Sequence, residues 1–182
     1  MWFRDPFPHF HPDYDIHISS DFFNGNPFDM LNAPNTGFMF VRSNNRTIKF
    51  YKFWRSSRWK EPNIVEQLAF FRIIRYSKYI KKTGLKVRFL DTEYMGGFCS
   101  PSKDLSKVCT MHSNCCVGLD NKIDDLNSLL EDWKGYVNGS LPRDRTTPFR
   151  WSAPAECAGL GKRNRVSRLG PGPEPRLGSG PS

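Results

Sequence analysis

Alternation is the first pattern along the chain. In D-Y-D-I-H-I-S-S-D, Asp13 to Asp21, the apolar Tyr14, Ile16 and Ile18 take every second position, which predicts a strand. F-N-G-N-P-F-D follows as a turn, and G-F-M-F-V-R-S, Gly37 to Ser43, reads as a second and more buried strand. The period then changes to that of a helix. Ile48, Tyr51 and Trp54 recur on one face from Asn45 to about Arg58, with Phe50 and Phe53 beside them. Pro62 suits the start of another helix carrying Ile64, Leu68 and Phe71 to about Lys82, where Gly84 can cap it. L-K-V-R-F-L, Leu85 to Leu90, alternates again as a strand. Beyond a long loop, Asp120 can cap a last amphipathic helix bearing Ile123, Leu126, Leu130 and Trp133.

Strands alternating with helices predict an α/β layer fold, with sites where loops leave strand ends. After Cys157 the pattern stops. Residues 158–182 are rich in Gly, Pro, Ser and Arg, and are expected to be a disordered tail to a domain spanning residues 1–157. At the other end, M-W-F-R-D-P-F-P-H-F-H-P begins abruptly with aromatics and prolines, as if cut from within a domain.

Charge changes this picture little. The net charge is +9, but the tail holds Lys162, Arg163, Arg165, Arg168 and Arg176 against Glu174, and the rest is dispersed. A dispersed basic surface suits an anionic small substrate such as a phosphate ester as well as a polynucleotide. No apolar run reaches the length of a membrane span, and no signal peptide is expected in these residues. The sequons Asn45-Arg-Thr47 and Asn138-Gly-Ser140 would nevertheless fit a secretory route.

Candidate chemistry concentrates in V-C-T-M-H-S-N-C-C-V-G-L-D-N-K, Val108 to Lys122. Cys109, His112, Cys115 and Cys116 offer zinc ligands, and a zinc-stabilised nucleic-acid-binding protein is one reading. Structural zinc sites, however, draw paired ligands from two separated knuckles, so buried thiols or disulfide partners are the expected role of these cysteines. His112, Gly118 and Lys122 form a different set. A neutral imidazole can ligate a divalent ion, glycine lets backbone approach a phosphate, and a diphosphate would sit between a lysine and a helix start. Asn35-Thr-Gly37 is a second loop of close backbone approach. Glu66-Gln67, opening a helix, could bind a hydroxylated ligand.

Together M-W-F-R-D-P-F-P-H-F, F-N-G-N-P-F-D, the run from Asn35 to Trp54 and the run from Phe89 to Lys122 resemble the plant nucleotide-diphospho-sugar transferase family, Golgi enzymes related to cell-wall arabinosyl- and xylosyltransferases. The resemblance covers about Met1 to Cys157. It implies the C-terminal part of a GT-A-type, Rossmann-like domain, a nucleotide-sugar donor, a glycan or glycoprotein acceptor, a divalent cation such as Mn2+, and no nucleic-acid partner. It also implies that His112 ligates the cation, that Asn35, Gly37, Gly118 and Lys122 bind the donor, and that Glu66 and Gln67 serve catalysis. A membrane anchor is expected only in a full-length form.

Two departures qualify these expectations. The family's Asp-x-Asp segment is expected just before M-W-F-R-D-P-F, outside this chain. The family's P-G-x-H-D-Q-D reads here P-N-I-V-E-Q-L, so Val65 and Leu68 replace a histidine and an aspartate. The chain is therefore expected to be catalytically impaired by itself. A non-catalytic diphosphate-binding module or a structural remnant is the alternative.

Overall fold

A computed structural model describes residues 1–60, 63–141 and 149–157. The order of elements is β1 (Ile16–Phe22), β2 (Ala33–Val41), α1 (Asn45–Lys60), α2 (Glu66–Arg75), α3 (Ser77–Thr83), β3 (Val87–Phe89), β4 (Met95–Gly97), β5 (Thr110–His112) and α4 (Leu119–Val137). The fold is α/β, as the alternation of periods predicts. Pro62 and the tail from Ala158 lie outside the described residues, so the expected helix start and disordered tail do too.

Two small sheets carry the architecture. In the first, the order is β2-β1-β3, with β1 antiparallel to β2 and parallel to β3. In the second, β4 and β5 run parallel, with Gly97 opposite His112. Ile16, Ile18, Val87 and Phe89 face a core closed by Phe50 of α1 and by Phe70, Ile73 and Ile74 of α2. A second core lies under α4, where Leu129 meets Val108, Met111, Phe98 and Trp151.

The β1–β2 ladder shifts register between Ile18 and Ser19 and again between Ser20 and Phe22. There the Ser19 hydroxyl bonds the carbonyl oxygens of Asn35 (3.3 Å) and Phe38 (3.1 Å). Such bulges bend a strand and re-aim its side chains. Here they turn Asp21 and Asn35 toward one another, which matters for the site below.

Three expectations need correction. The buried face of α1 is not Ile48–Tyr51, which are 47% and 39% exposed, but Phe50, which is fully buried. Its cause lies in the cap: Asn44 and Thr47 exchange bonds (Asn44 N to Thr47 Oγ1 at 3.0 Å, Thr47 N to Asn44 Oδ1 at 3.1 Å). Thr47 is thereby held inward, and Phe50, three residues on, follows it into the core.

Second, the expected single helix to Lys82 is broken at Tyr76, whose ψ of 90° is extended. The break lets Tyr79 of α3 stack on Phe53 at 4.3 Å while Ile73 and Ile74 keep their own places in the core. Third, Gly118 rather than Asp120 stands at the N-cap of α4, and Asp120 lies inside the first turn. Accordingly Leu129 is the buried leucine, and Ile123 is 46% exposed.

His17 of β1 is fully buried on the opposite face from Ile16 and Ile18. Its Nε2 accepts the His11 N–H at 3.0 Å, and its Nδ1 has no partner among the described residues. Burial, reinforced by Arg88, Arg42 and His11, lowers its pKa to about 4. An unfolded chain would take up this proton near 6.5, whereas the folded one resists until near 4. Full stability is thus present above pH 6.5 and declines as pH falls toward 4, by about 3 kcal/mol. In His17→Gln the amide oxygen can still accept the His11 N–H. Urea unfolding between pH 7 and 4 should show that part of the decline removed; an unchanged decline would exclude His17 as its source.

Candidate functional site

One cavity of about 430 Å3 gathers residues from β1 and β2 of the first sheet, from α1 and α2, and from the end of β5 and the loop after it. Asp21 enters from the end of β1, Asn35, Thr36 and Gly37 from β2, Trp54 from α1, and Glu66 and Gln67 from the start of α2. His112 to Cys116 and Lys122 close the other side. Of the residues singled out in the sequence, Asn35, Gly37, Glu66, Gln67, His112 and Lys122 therefore meet. Gly118 does not line the cavity; it turns the chain into α4 with φ +92°.

Asp21, which sequence reasoning did not select, is the hub. Its carboxylate accepts bonds from Asn35 Nδ2 (2.6 Å), Asn114 Nδ2 (2.7 Å) and Gln67 Nε2 (3.2 Å). The oxygen of each amide is also used: Asn35 Oδ1 accepts Gly37 N, Gln67 Oε1 accepts Thr36 N, and Asn114 Oδ1 accepts Cys99 N. The orientation of all three amides is fixed by these bonds. A signal was present, since Asp21 ends an alternating strand in an α/β chain. Asp91, two residues past the end of β3, instead makes an Asx turn in which its Oδ1 accepts the Glu93 N–H at 2.9 Å.

Two glycines allow the packing. A Cβ at Gly37 would collide with Cε1 of His112 and stand 2.9 Å from its Nε2; one at Gly97 would collide with the Asn114 amide. The imidazole and the Asn114 amide thus lie directly against backbone.

The Nδ1 of His112 is buried and unpartnered among the described residues. Burial holds its pKa below the usual histidine range; Asp21 opposes this, while the N-terminus and Lys122 reinforce it. The ring is therefore neutral at physiological pH, the form that can ligate a cation. Lys122 has no ion-pair partner among the described residues. Asp13-Tyr14-Asp15 offers no metal site, because Asp15 is 2% exposed and accepts Arg46 Nε (2.8 Å), Arg46 Nη2 (2.7 Å), Asn44 Nδ2 (2.8 Å) and Lys86 N (2.9 Å).

The cysteines settle the zinc reading. Cys99 bonds to Cys115, and Cys116 to Cys157, while Cys109 is a buried thiol. Burial pushes its pKa up. A zinc cluster of Cys109, His112, Cys115 and Cys116 is therefore not formed, and the basis for a zinc-stabilised nucleic-acid-binding protein goes with it. The disulfides instead staple the wall of the cavity, at Cys115 and Cys116, to the loop after β4 and to the end of the described chain.

Residues 1–126 match the nucleotide-diphospho-sugar transferase family. Two uncharacterized proteins of Arabidopsis thaliana are 46% and 36% identical over 155 and 158 residues, covering 85% and 87% of this chain but 42% and 45% of their own lengths. A UDP-galactose:fucoside alpha-3-galactosyltransferase of Dictyostelium discoideum is 29% identical over 164 residues, which is 76% of this chain and 24% of that protein. The chain thus spans less than half the length of the curated relatives it matches. No solved structure matches it. With more than half of its residues in the match, the chain belongs to the nucleotide-diphospho-sugar transferase family.

Proposed function

We propose that this chain supplies the diphosphate-binding wall of a glycosyltransferase that moves a sugar from a nucleoside-diphosphate donor to a cell-wall glycan or glycoprotein in the Golgi lumen. The observation that carries the reading is the convergence of Asn35, Gly37, Gln67, His112 and Lys122 on one cavity around Asp21. Its volume is in the range of ordinary small-molecule sites. The galactosyl donor in the Dictyostelium relative's name supports a uridine diphosphate sugar as donor class.

In this reading Lys122 places its ammonium against the diphosphate and stabilises charge on the departing phosphate oxygen. Asn35 and the bare backbone of Gly37 lie against the donor sugar. Gln67, whose amide is tied to Thr36 N and Asp21, holds residues 35–37 in place, which are expected as a loop but lie within strand β2. Glu66 presents an exposed carboxylate in the first turn of α2 and would take the proton of the acceptor hydroxyl as its oxygen bonds the anomeric carbon. His112 fits one ligand position of a divalent cation, for which we propose Mn2+; when bound, such an ion neutralises diphosphate charge.

Within the described residues, the cavity offers a cation one imidazole, an Asp21 carboxylate already engaged by three amides, and the Glu66 carboxylate assigned to the acceptor proton, which makes a weak cation site. These 182 residues alone are therefore expected to bind donor without efficient turnover. Calorimetry of the chain with uridine diphosphate and Mn2+ tests the site: Lys122→Ala should weaken binding roughly 10- to 100-fold. Unchanged affinity would overturn the assignment. A hydrolysis assay with a nucleotide sugar tests the expected impairment: rapid turnover would sink it, together with the alternative of a non-catalytic diphosphate module.

A further inference from the structure

We propose that Asn138 is a site of N-linked glycosylation and that Asn45 is not, although both begin an Asn-x-Ser/Thr triplet. The proposal rests on the luminal location argued above. It is supported independently by two disulfides, which form and persist in oxidising compartments.

The two triplets differ in geometry. Asn138 ends α4, and Asn138, Gly139 and Ser140 are all exposed. The chain turns there through Gly139 at φ +82°. The Asn138 Oδ1 accepts both the Ser140 N–H at 3.1 Å and the Ser140 hydroxyl at 2.8 Å. Its Nδ2, the atom to be modified, donates no hydrogen bond among the described residues. The sequon is thus already folded into an open Asx turn, with its amide nitrogen and serine facing solvent.

Asn45-Arg-Thr47 is the opposite case. It opens α1, and Thr47 is 2% exposed. The Thr47 hydroxyl donates toward Arg42 O at 2.8 Å and Asn44 O at 3.0 Å, and it accepts the Asn44 N–H. Once this local cap forms, an enzyme reading the hydroxyl cannot reach it. The partners of this cap lie within five residues of Thr47, so it needs no long-range contact to form.

The chemistry balances with a lipid-diphosphate-linked oligosaccharide as co-substrate. The Asn138 Nδ2 bonds to the anomeric carbon, the bond from that carbon to the diphosphate oxygen breaks, the lipid diphosphate leaves with the electron pair, and the amide proton passes to a base of the transferring enzyme. A glycan at Asn138 would stand sixteen residues along α4 from Lys122, roughly 24 Å away, and would leave the cavity open.

The test is expression of the full-length natural protein in a eukaryotic secretory system, with peptide-N-glycosidase digestion and protease protection of sealed vesicles. The expected result is a protected chain whose mobility shifts on digestion, with the shift lost in Asn138→Gln and retained in Asn45→Gln. A protected but unshifted chain would overturn the modification while leaving the location standing. Modification that persists in Asn138→Gln and disappears in Asn45→Gln would overturn the geometric selection. A chain digested by protease from outside the vesicles would overturn both the location and the glycosylation.

Discussion

Asp21→Asn should abolish measurable binding of a nucleoside diphosphate by this chain, and in the full-length transferase it should lower kcat/KM by about 100-fold or more. The substitution keeps the volume but replaces one acceptor oxygen with a donor. Asn35 and Asn114 both donate to one carboxylate oxygen and Gln67 to the other, so at least one donor would face another. None of the three can rotate to adapt, because each amide oxygen already accepts a backbone N–H of Gly37, Cys99 or Thr36. Residues 35–37 of β2 and the loop carrying Asn114 would separate, and the wall against which Gly37 and His112 pack would move with them. Melting temperature should fall only modestly, since Asp21 is half-buried and water can take part of the lost bonds. Calorimetry and thermal melting on one preparation separate the effects. Retained donor affinity would show that Asp21 does not organise the site.

Reduction of both disulfides should give the largest loss of stability. Cys99–Cys115 closes a loop of 16 residues and Cys116–Cys157 one of 41. On chain-entropy grounds these contribute about 3 and about 4 kcal/mol. Domains are commonly stable by only about 5–15 kcal/mol, so the reduced chain would stand near its unfolding point. The second bridge has reinforcement: the carboxylate of Asp125, 1% exposed, accepts the N–H groups of Ala155 (2.8 Å), Glu156 (3.1 Å) and Cys157 (2.8 Å). Melting with and without a dithiol should show a drop of about 15–25 °C. A melting curve indifferent to reduction, with the freed thiols confirmed by alkylation, would contradict this account.

Much of this organisation was legible in the sequence, and the illegible parts share a cause. Strand periods located β1, β2 and β3, and the residues around His112 and Asn35 pointed to one family and one cavity. What periodicity could not rank were two interlaced apolar stripes on α1; a cap between Asn44 and Thr47 decides which stripe turns inward. The break at Tyr76 has neither glycine nor proline to announce it and follows from packing of Tyr79 on Phe53. Asn114 reaches the site because Cys115 is tied to Cys99 and because Gly97 leaves room, facts that only the fold supplies. Asp21 was visible as a strand-end carboxylate, but its three amide partners come from positions 35, 67 and 114, too far apart for any local pattern.

The contact between Gly37 and His112 bears on inheritance. A side chain at position 37 and an imidazole at position 112 exclude each other sterically, although 75 residues separate them. Position 37 cannot gain a side chain while the ring stays. Across descendants of this chain, a lineage that gains even alanine at 37 must shed or relocate the ring at 112, so the ring should occur only beside glycine, while glycine can outlast the ring.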